Sequence, residues 1–163
     1  MLGDFGVGKT SLVARFVHSA FSEKYVTTVG VKIDTKQLEP TEPDAPRVKL
    51  VLWDIAGKSA LDSVKLSYLQ GTSGVVLVAD GTREATLRSA LYLLMQARQE
   101  TNPDLPAVLL VNKFDRLDDW EVTAAMLVEL RKSMPVFEAS AMTGEGVEVG
   151  FKALTQALIA GAR

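Results

Sequence analysis

Two residues into this chain, Gly3, Asp4, Phe5, Gly6, Val7, Gly8, Lys9 and Thr10 spell G-x-x-x-x-G-K-T, a pattern that restricts the fold more than any other feature of the sequence. Glycines let successive backbone N–H groups curl around an anion with no side chain in the way. Lys9 brings a long-reaching cation and Thr10 a hydroxyl suited to Mg2+, so the segment is expected to cradle phosphates rather than to serve as a packing turn. Such a loop leaves a strand and opens a helix. Only Met1 and Leu2 precede Gly3, so the first strand is expected to be truncated and residues upstream to be missing, the alternative being that a two-residue remnant suffices.

Beyond the loop, helical and strand signals alternate as in a wound α/β sheet. Leu12, Val13, Phe16 and Val17 recur at helical spacing and predict a helix over 10–20. Strands are expected near 27–35 and 48–53 as a pair, the prolines Pro40, Pro43 and Pro46 between them marking a loop. The apolar runs 75–79 and 107–111 read as strands buried on both faces. Helices are predicted over 85–100, 120–132 and 147–160, with a short strand at 135–138. The fold class is therefore α/β, a P-loop nucleoside-triphosphatase fold whose mostly parallel central sheet is flanked by helices.

Composition bounds the setting. With 163 residues and 47% hydrophobic content, residues 1–163 form one domain with a full core. A net charge of −2 and no long basic run argue against nucleic acid and anionic membrane as partners. The absence of cysteine excludes a disulfide, a thiolate metal site and prenylation, and Leu2 excludes N-myristoylation. Apolar runs are strand-sized, so no membrane span or signal peptide is expected, nor a direct lipid anchor, and the protein is read as cytoplasmic.

The base is indicated by Asn112, Lys113, Phe114 and Asp115, an N-K-x-D directly after a buried run, where strand ends line the ligand crevice. A fixed Asp115 carboxylate can accept parallel bonds from guanine N1–H and its exocyclic amine, and adenine has no matching donors there. Asn112 can tie the loop together and the Lys113 stem can cover the base. Ser140 and Ala141, in Glu138-Ala139-Ser140-Ala141, can present a backbone N–H to the guanine oxygen. Taken alone, N-K-F-D is also compatible with a polar turn.

With these motifs together, and with Thr28 in T-V-G and W-D-I-A-G ending at Gly57, the chain resembles the Ras superfamily of small GTPases over almost its whole length, most closely the Rab-like branch, in an unlipidated form consistent with a prokaryotic small GTPase. The resemblance implies GTP or GDP and Mg2+ as cofactors, with Ser11 and Met142 among the nucleotide contacts. Phe21 would stack on the guanine and Tyr25 would close over the phosphates. Thr28 would give its hydroxyl to Mg2+ and its N–H to the terminal phosphate, Asp54 would hold Mg2+ through water, and the Gly57 N–H would touch the same phosphate. Lys9, Thr28, Gly57 and Lys58 are the catalytic candidates. Two loops, residues 22–30 and 57–68, would be ordered by the third phosphate and would meet effector, exchange-factor and activator proteins.

Two departures bear on the chemistry. Lys58 stands where the family carries a glutamine that orients the attacking water; an ammonium only donates, so intrinsic hydrolysis is expected to be slow, although its charge could instead assist phosphoryl transfer in cis. Phe5 stands where a small residue is usual and is expected to obstruct an activator's arginine, unless the ring packs outward on Tyr25 or Lys58. Both feed a rival reading, a guanine-nucleotide-binding scaffold that never hydrolyses; an ATP-using P-loop enzyme and a domain excised from a larger protein are further alternatives. His18 is expected at the surface, Trp53 in the core, Trp120 at a helix start capped by Asp118 and Asp119, and Leu91, Leu93, Leu94 and Met95 on a core helix.

Overall fold

The computed structural model describes residues 1–24, 27–39, 47–57 and 67–161. Helix α1 (Lys9–His18) follows the glycine loop directly, with Gly8 at its N-cap in the left-handed region, φ 99°. Strands β1 (Val31–Leu38) and β2 (Val48–Ile55) form an antiparallel pair whose register runs from Val31 opposite Ile55 to Leu38 opposite Val48. Strand β3 (Val75–Asp80), helix α2 (Ala85–Glu100), strand β4 (Ala107–Asn112), helix α3 (Ala124–Leu130), strand β5 (Val136–Glu138) and helix α4 (Val147–Gly161) complete the order. β3, β4 and β5 are parallel neighbours, as helix-connected strands require.

Two-residue periodicity partitions the core. On β3 and β4, Val75, Leu77, Ala79, Ala107, Leu109 and Val111 pack with Leu87, Leu93 and Leu94 of α2. The alternate residues Val76, Val78, Val108 and Leu110 pack with Leu12 and Phe16 of α1 and Phe151 of α4. Helices thus cover both faces, and that double burial is why the strands read as unbroken apolar runs.

The expected continuous sheet is divided into a two-stranded and a three-stranded part. Between them, Leu2 pairs in parallel with Leu77, its N–H donating to the Val76 carbonyl at 2.9 Å and its carbonyl accepting from Val78 at 2.8 Å. The Met1 amine donates to the Trp53 carbonyl at 2.7 Å. One bridge therefore carries the pairing on the β3 side, and the sheets diverge beyond it around a groove of about 810 Å3.

Several expectations are corrected. The first strand of the pair begins at Val31, not near residue 27, because the chain turns at Gly30, whose carbonyl takes the Ala56 N–H at 2.9 Å. The helix expected over 120–132 spans only Ala124–Leu130. Asp118 and Asp119 lie in a 3₁₀ turn, and Thr123 caps the helix by accepting from the Met126 N–H at 3.3 Å. The helix start is displaced because Gly81 at the end of β3 accepts the N–H groups of Glu121 and Val122, while the Trp120 ring packs edge-on against Phe114 at 5.2 Å. Trp53 is 38% exposed rather than core, lying 6.0 Å from the Tyr68 ring, and Met95 is exposed on a helix whose Leu93 and Leu94 are buried. His18 is at the surface, 3.0 Å from Asp34. The loop containing Pro40, Pro43 and Pro46 lies outside the described residues.

Phe16 and Phe151 stack face to face at 4.0 Å and join α1 to α4 beneath the glycine loop. Phe151→Ala should lower the unfolding free energy by about 3–5 kcal/mol through the cavity it leaves, measurable as a lower midpoint in urea denaturation with the slope unchanged.

Candidate functional site

A cavity of about 510 Å3 opens at the carboxyl ends of β3 and β4. Into it converge the glycine loop, the start of α1, the N-K-F-D segment after β4, the loop at Ala141 and Met142, and the segments bearing Phe21, Thr28 and Gly57. These segments are remote in sequence; the parallel strands β3, β4 and β5 deliver their carboxyl ends to one edge, and the antiparallel β1–β2 pair brings the start of β1 beside the end of β2, so Thr28 and Gly57 arrive together.

At the loop end, Phe5, Gly6, Gly8, Lys9, Thr10 and Ser11 line the cavity. Gly3 and Val7 lie beneath it; Val7 is fully buried and contributes its carbonyl, which accepts from Asn112 Nδ2 at 2.9 Å. The Lys9 ammonium is held 2.9 Å from the carbonyls of both Gly3 and Asp4. Gly57 presses against the same ammonium so closely that a Cβ there would stand 2.5 Å from Lys9 Nζ. Phe5 is 52% exposed on the cavity wall.

At the other end, Asn112 is buried and uses both ends of its amide: Nδ2 on Val7, and Oδ1 accepting the Ala141 N–H at 3.1 Å. The Ala141 N–H, expected to be offered to a guanine oxygen, here donates to Asn112 Oδ1. Asp115 faces the cavity and accepts from the Ser140 hydroxyl, Ser140 being buried behind it. Lys113 adopts the left-handed conformation, φ 70°, and places its ammonium 2.7 Å from Asp80 Oδ2. Phe21 and Met142 are exposed apolar side chains on the wall. Tyr25 and Lys58 lie outside the described residues.

Thr10, Thr28 and Asp54 meet below the glycine loop. The Thr10 and Thr28 hydroxyls are 2.8 Å apart, and Thr10 also donates to Asp54 Oδ2. Asp54 is 1% exposed, and its Oδ1 is buried without a hydrogen-bond partner. A buried carboxylate oxygen in that condition is costly unless a cation or donor meets it. This hard-oxygen set of two hydroxyls and one carboxylate suits Mg2+ rather than a transition metal.

Residues 1–160 match the Ras family. The chain belongs to the Ras family. It is 35% identical to the Ras-related protein Rab11D of Lotus japonicus over 159 residues, spanning 96% of this chain and 72% of that one. It is 32% identical to the Ras-related protein Rab-4 of Dictyostelium discoideum over 161 residues, 98% of this chain and 77% of the relative. To Rab-27B of Rattus norvegicus it is 33% identical, with 94% and 75% covered. As a Ras-family chain it is a GTPase of the guanine-nucleotide switch type. No helix among its described residues is long and apolar enough to cross a membrane.

Three side chains that the motifs do not single out support this Ras-family site. Arg15 on α1 donates to the carbonyls of Ala141, at 2.7 Å, and Met142, clamping that loop from below. Asp80, fully buried at the end of β3, receives Lys113, Thr82 and Arg83. Arg83 continues to the Phe5 carbonyl at 3.1 Å. A carboxylate terminating an otherwise apolar strand was the available signal for Asp80; Arg15 and Arg83 gave none.

Burial alone would raise the Asp80 pKa, but the bonds from Lys113, Thr82 and Arg83 outweigh it and hold the carboxyl below the ordinary range. A depressed folded pKa contributes stability above the unfolded value of about 3.9, and that contribution is lost as pH falls through the folded value. Asp80→Asn should therefore cost about 2 kcal/mol at pH 7. The difference between native and variant should shrink as the pH is lowered through about 4 towards 3, checked by urea unfolding at each pH.

Proposed function

We propose that residues 1–163 constitute one G domain that binds GTP and GDP with Mg2+ and hydrolyses GTP slowly, two loops reporting the nucleotide state to partner proteins. The observation that carries this reading is the convergence, in one cavity, of the glycine loop, of Asp115 with Asn112, and of Thr28 with Gly57. In this reading Asp115 accepts the guanine N1–H and amine, the Phe21 ring and the Lys113 stem cover the base, and the Ala141 N–H exchanges its bond to Asn112 for one to the guanine oxygen. Lys9 exchanges the carbonyls of Gly3 and Asp4 for phosphate oxygens, and Tyr25 closes over them.

Thr10, Thr28 and Asp54 would hold Mg2+, which would neutralise charge building on the phosphates. Thr28 and Gly57 reach the terminal phosphate from separate segments, so gain or loss of that phosphate changes what the two loops, 22–30 and 57–68, offer to partner proteins. Ile33, Val51 and Trp53 expose an apolar strip on the β1–β2 pair, which extends the surface those loops offer to effectors. A switch charged from the cellular GTP pool acts in the cytoplasm.

Hydrolysis is in-line attack by water, and the water's orientation is what Lys58 impairs, because an ammonium donates but does not accept. The exposed Phe5 ring on the cavity wall hinders insertion of an activator's arginine. A second reading, a guanine-nucleotide scaffold without turnover, draws on the same two residues. Single-turnover conversion of Mg2+-GTP to GDP, followed by chromatography, separates them. Native protein should turn over slowly and Lys58→Gln faster. GTP retention with no GDP above the uncatalysed background would establish the scaffold, and a rate that falls in Lys58→Gln would mean that the lysine assists the reaction. A cognate activator should accelerate Phe5→Gly more than native protein; equal acceleration would refute the obstruction.

A further inference from the structure

Resting on the proposed nucleotide site, we infer that Arg83 is a positioning residue that latches the phosphate loop open towards the nucleotide. Its guanidinium spans two anchors. Nε donates to Asp80 Oδ2 at 2.9 Å, and Nη2 donates to the Phe5 carbonyl at 3.1 Å. Asp80 is fully buried and is itself fixed by the Thr82 N–H and hydroxyl on Oδ1 and by Lys113 on Oδ2. The Arg83 backbone is held in turn, its N–H donating to the Asp80 carbonyl at 2.9 Å. A planar fork seated on a rigid carboxylate presents its second nitrogen in one direction, which a flexible ammonium would not do.

The consequence follows from peptide planarity. In a trans peptide the C=O and the next N–H point in opposite directions. Drawing the Phe5 carbonyl outward onto Arg83 therefore turns the Gly6 N–H the other way, and Gly6 lines the cavity. Gly6 sits at φ 72°, in the region that glycine enters without strain, and the Arg83 bond to the Phe5 carbonyl fixes how the Phe5–Gly6 peptide is oriented there. Neighbouring carbonyls are held in the same manner: Gly3 and Asp4 by Lys9, and Val7 by Asn112. Arg83 supplies the hold at residue 5 and keeps one more N–H available to a phosphate oxygen.

Arg83 acts on the loop that meets phosphates and leaves the Asp115 base contact in place, so its removal should weaken retention of the diphosphate without changing selection of the base. The probe is release of fluorescently labelled GDP and of labelled IDP, which lacks the exocyclic amine, from native protein and from Arg83→Met and Arg83→Lys, with thermal unfolding of each recorded. Arg83→Met should release both nucleotides about ten-fold faster, as expected for one charge-assisted bond, with the GDP-to-IDP ratio of rates as in native protein. Arg83→Lys, which meets one anchor only, should fall between. Release rates within two-fold of native in a fully folded Arg83→Met would overturn the latch. So would a collapsed GDP-to-IDP ratio, which would mean that Arg83 acts on the base loop through Asp80 and Lys113. Native protein unable to retain labelled GDP would overturn the nucleotide reading and the latch with it.

Discussion

The amide of Asn112 is the joint on which the site depends. It stands at the last position of β4, 2% exposed, donating to the Val7 carbonyl and accepting from the Ala141 N–H. Only a neutral amide offers a donor and an acceptor at the two ends of one short side chain; a carboxylate would face the Val7 carbonyl with no proton to give, and an apolar isostere would strand both partners in the core. The glycine loop and the Ser140–Ala141 loop are thus fixed to each other through one strand end, and the 510 Å3 cavity is the space between them.

Asp80 repeats this logic one strand away with charge. Buried at the end of β3, it gathers Lys113 from the segment after β4 and Arg83 from the turn before α2. Desolvation of a carboxylate is offset here by several donors at once, the condition under which a buried ion holds structure rather than weakening it. Its register partner across the ladder is Asn112. The two polar residues that end the two central apolar strands therefore lie side by side, and together they hold the phosphate-loop and base-loop sides of the cavity.

Most of the architecture was legible in the sequence because it is written in short-range periodicity. Continuous apolar runs gave β3 and β4, and helical spacing gave α1, α2 and α4. The Trp120 ring is claimed by Phe114 and the 121–122 backbone by the Gly81 carbonyl, so local helix signals lost to a tertiary contact, while Trp53 lies part-exposed beside Tyr68 on the β1–β2 pair. At the site, the residues named from motifs sit around one cavity, except for Gly3, Val7, Asp54 and Ser140, which support it from beneath, and Tyr25 and Lys58, outside the described residues.

What the sequence determined by itself was the chemistry available: a glycine loop with a lysine, hydroxyls and a carboxylate for a hard cation, an aspartate fit for guanine, and the family to which these belong. What only the tertiary structure decided was which group holds which. Asn112 reaches Val7 across 105 positions, Arg15 reaches Ala141 across 126, and Arg83 reaches Phe5 across 78. No periodicity encodes such pairs. They exist because parallel strands deliver their ends to one edge, where backbone carbonyls left over by the loops must find donors, and the folded chain alone fixes which side chain is near enough to supply them.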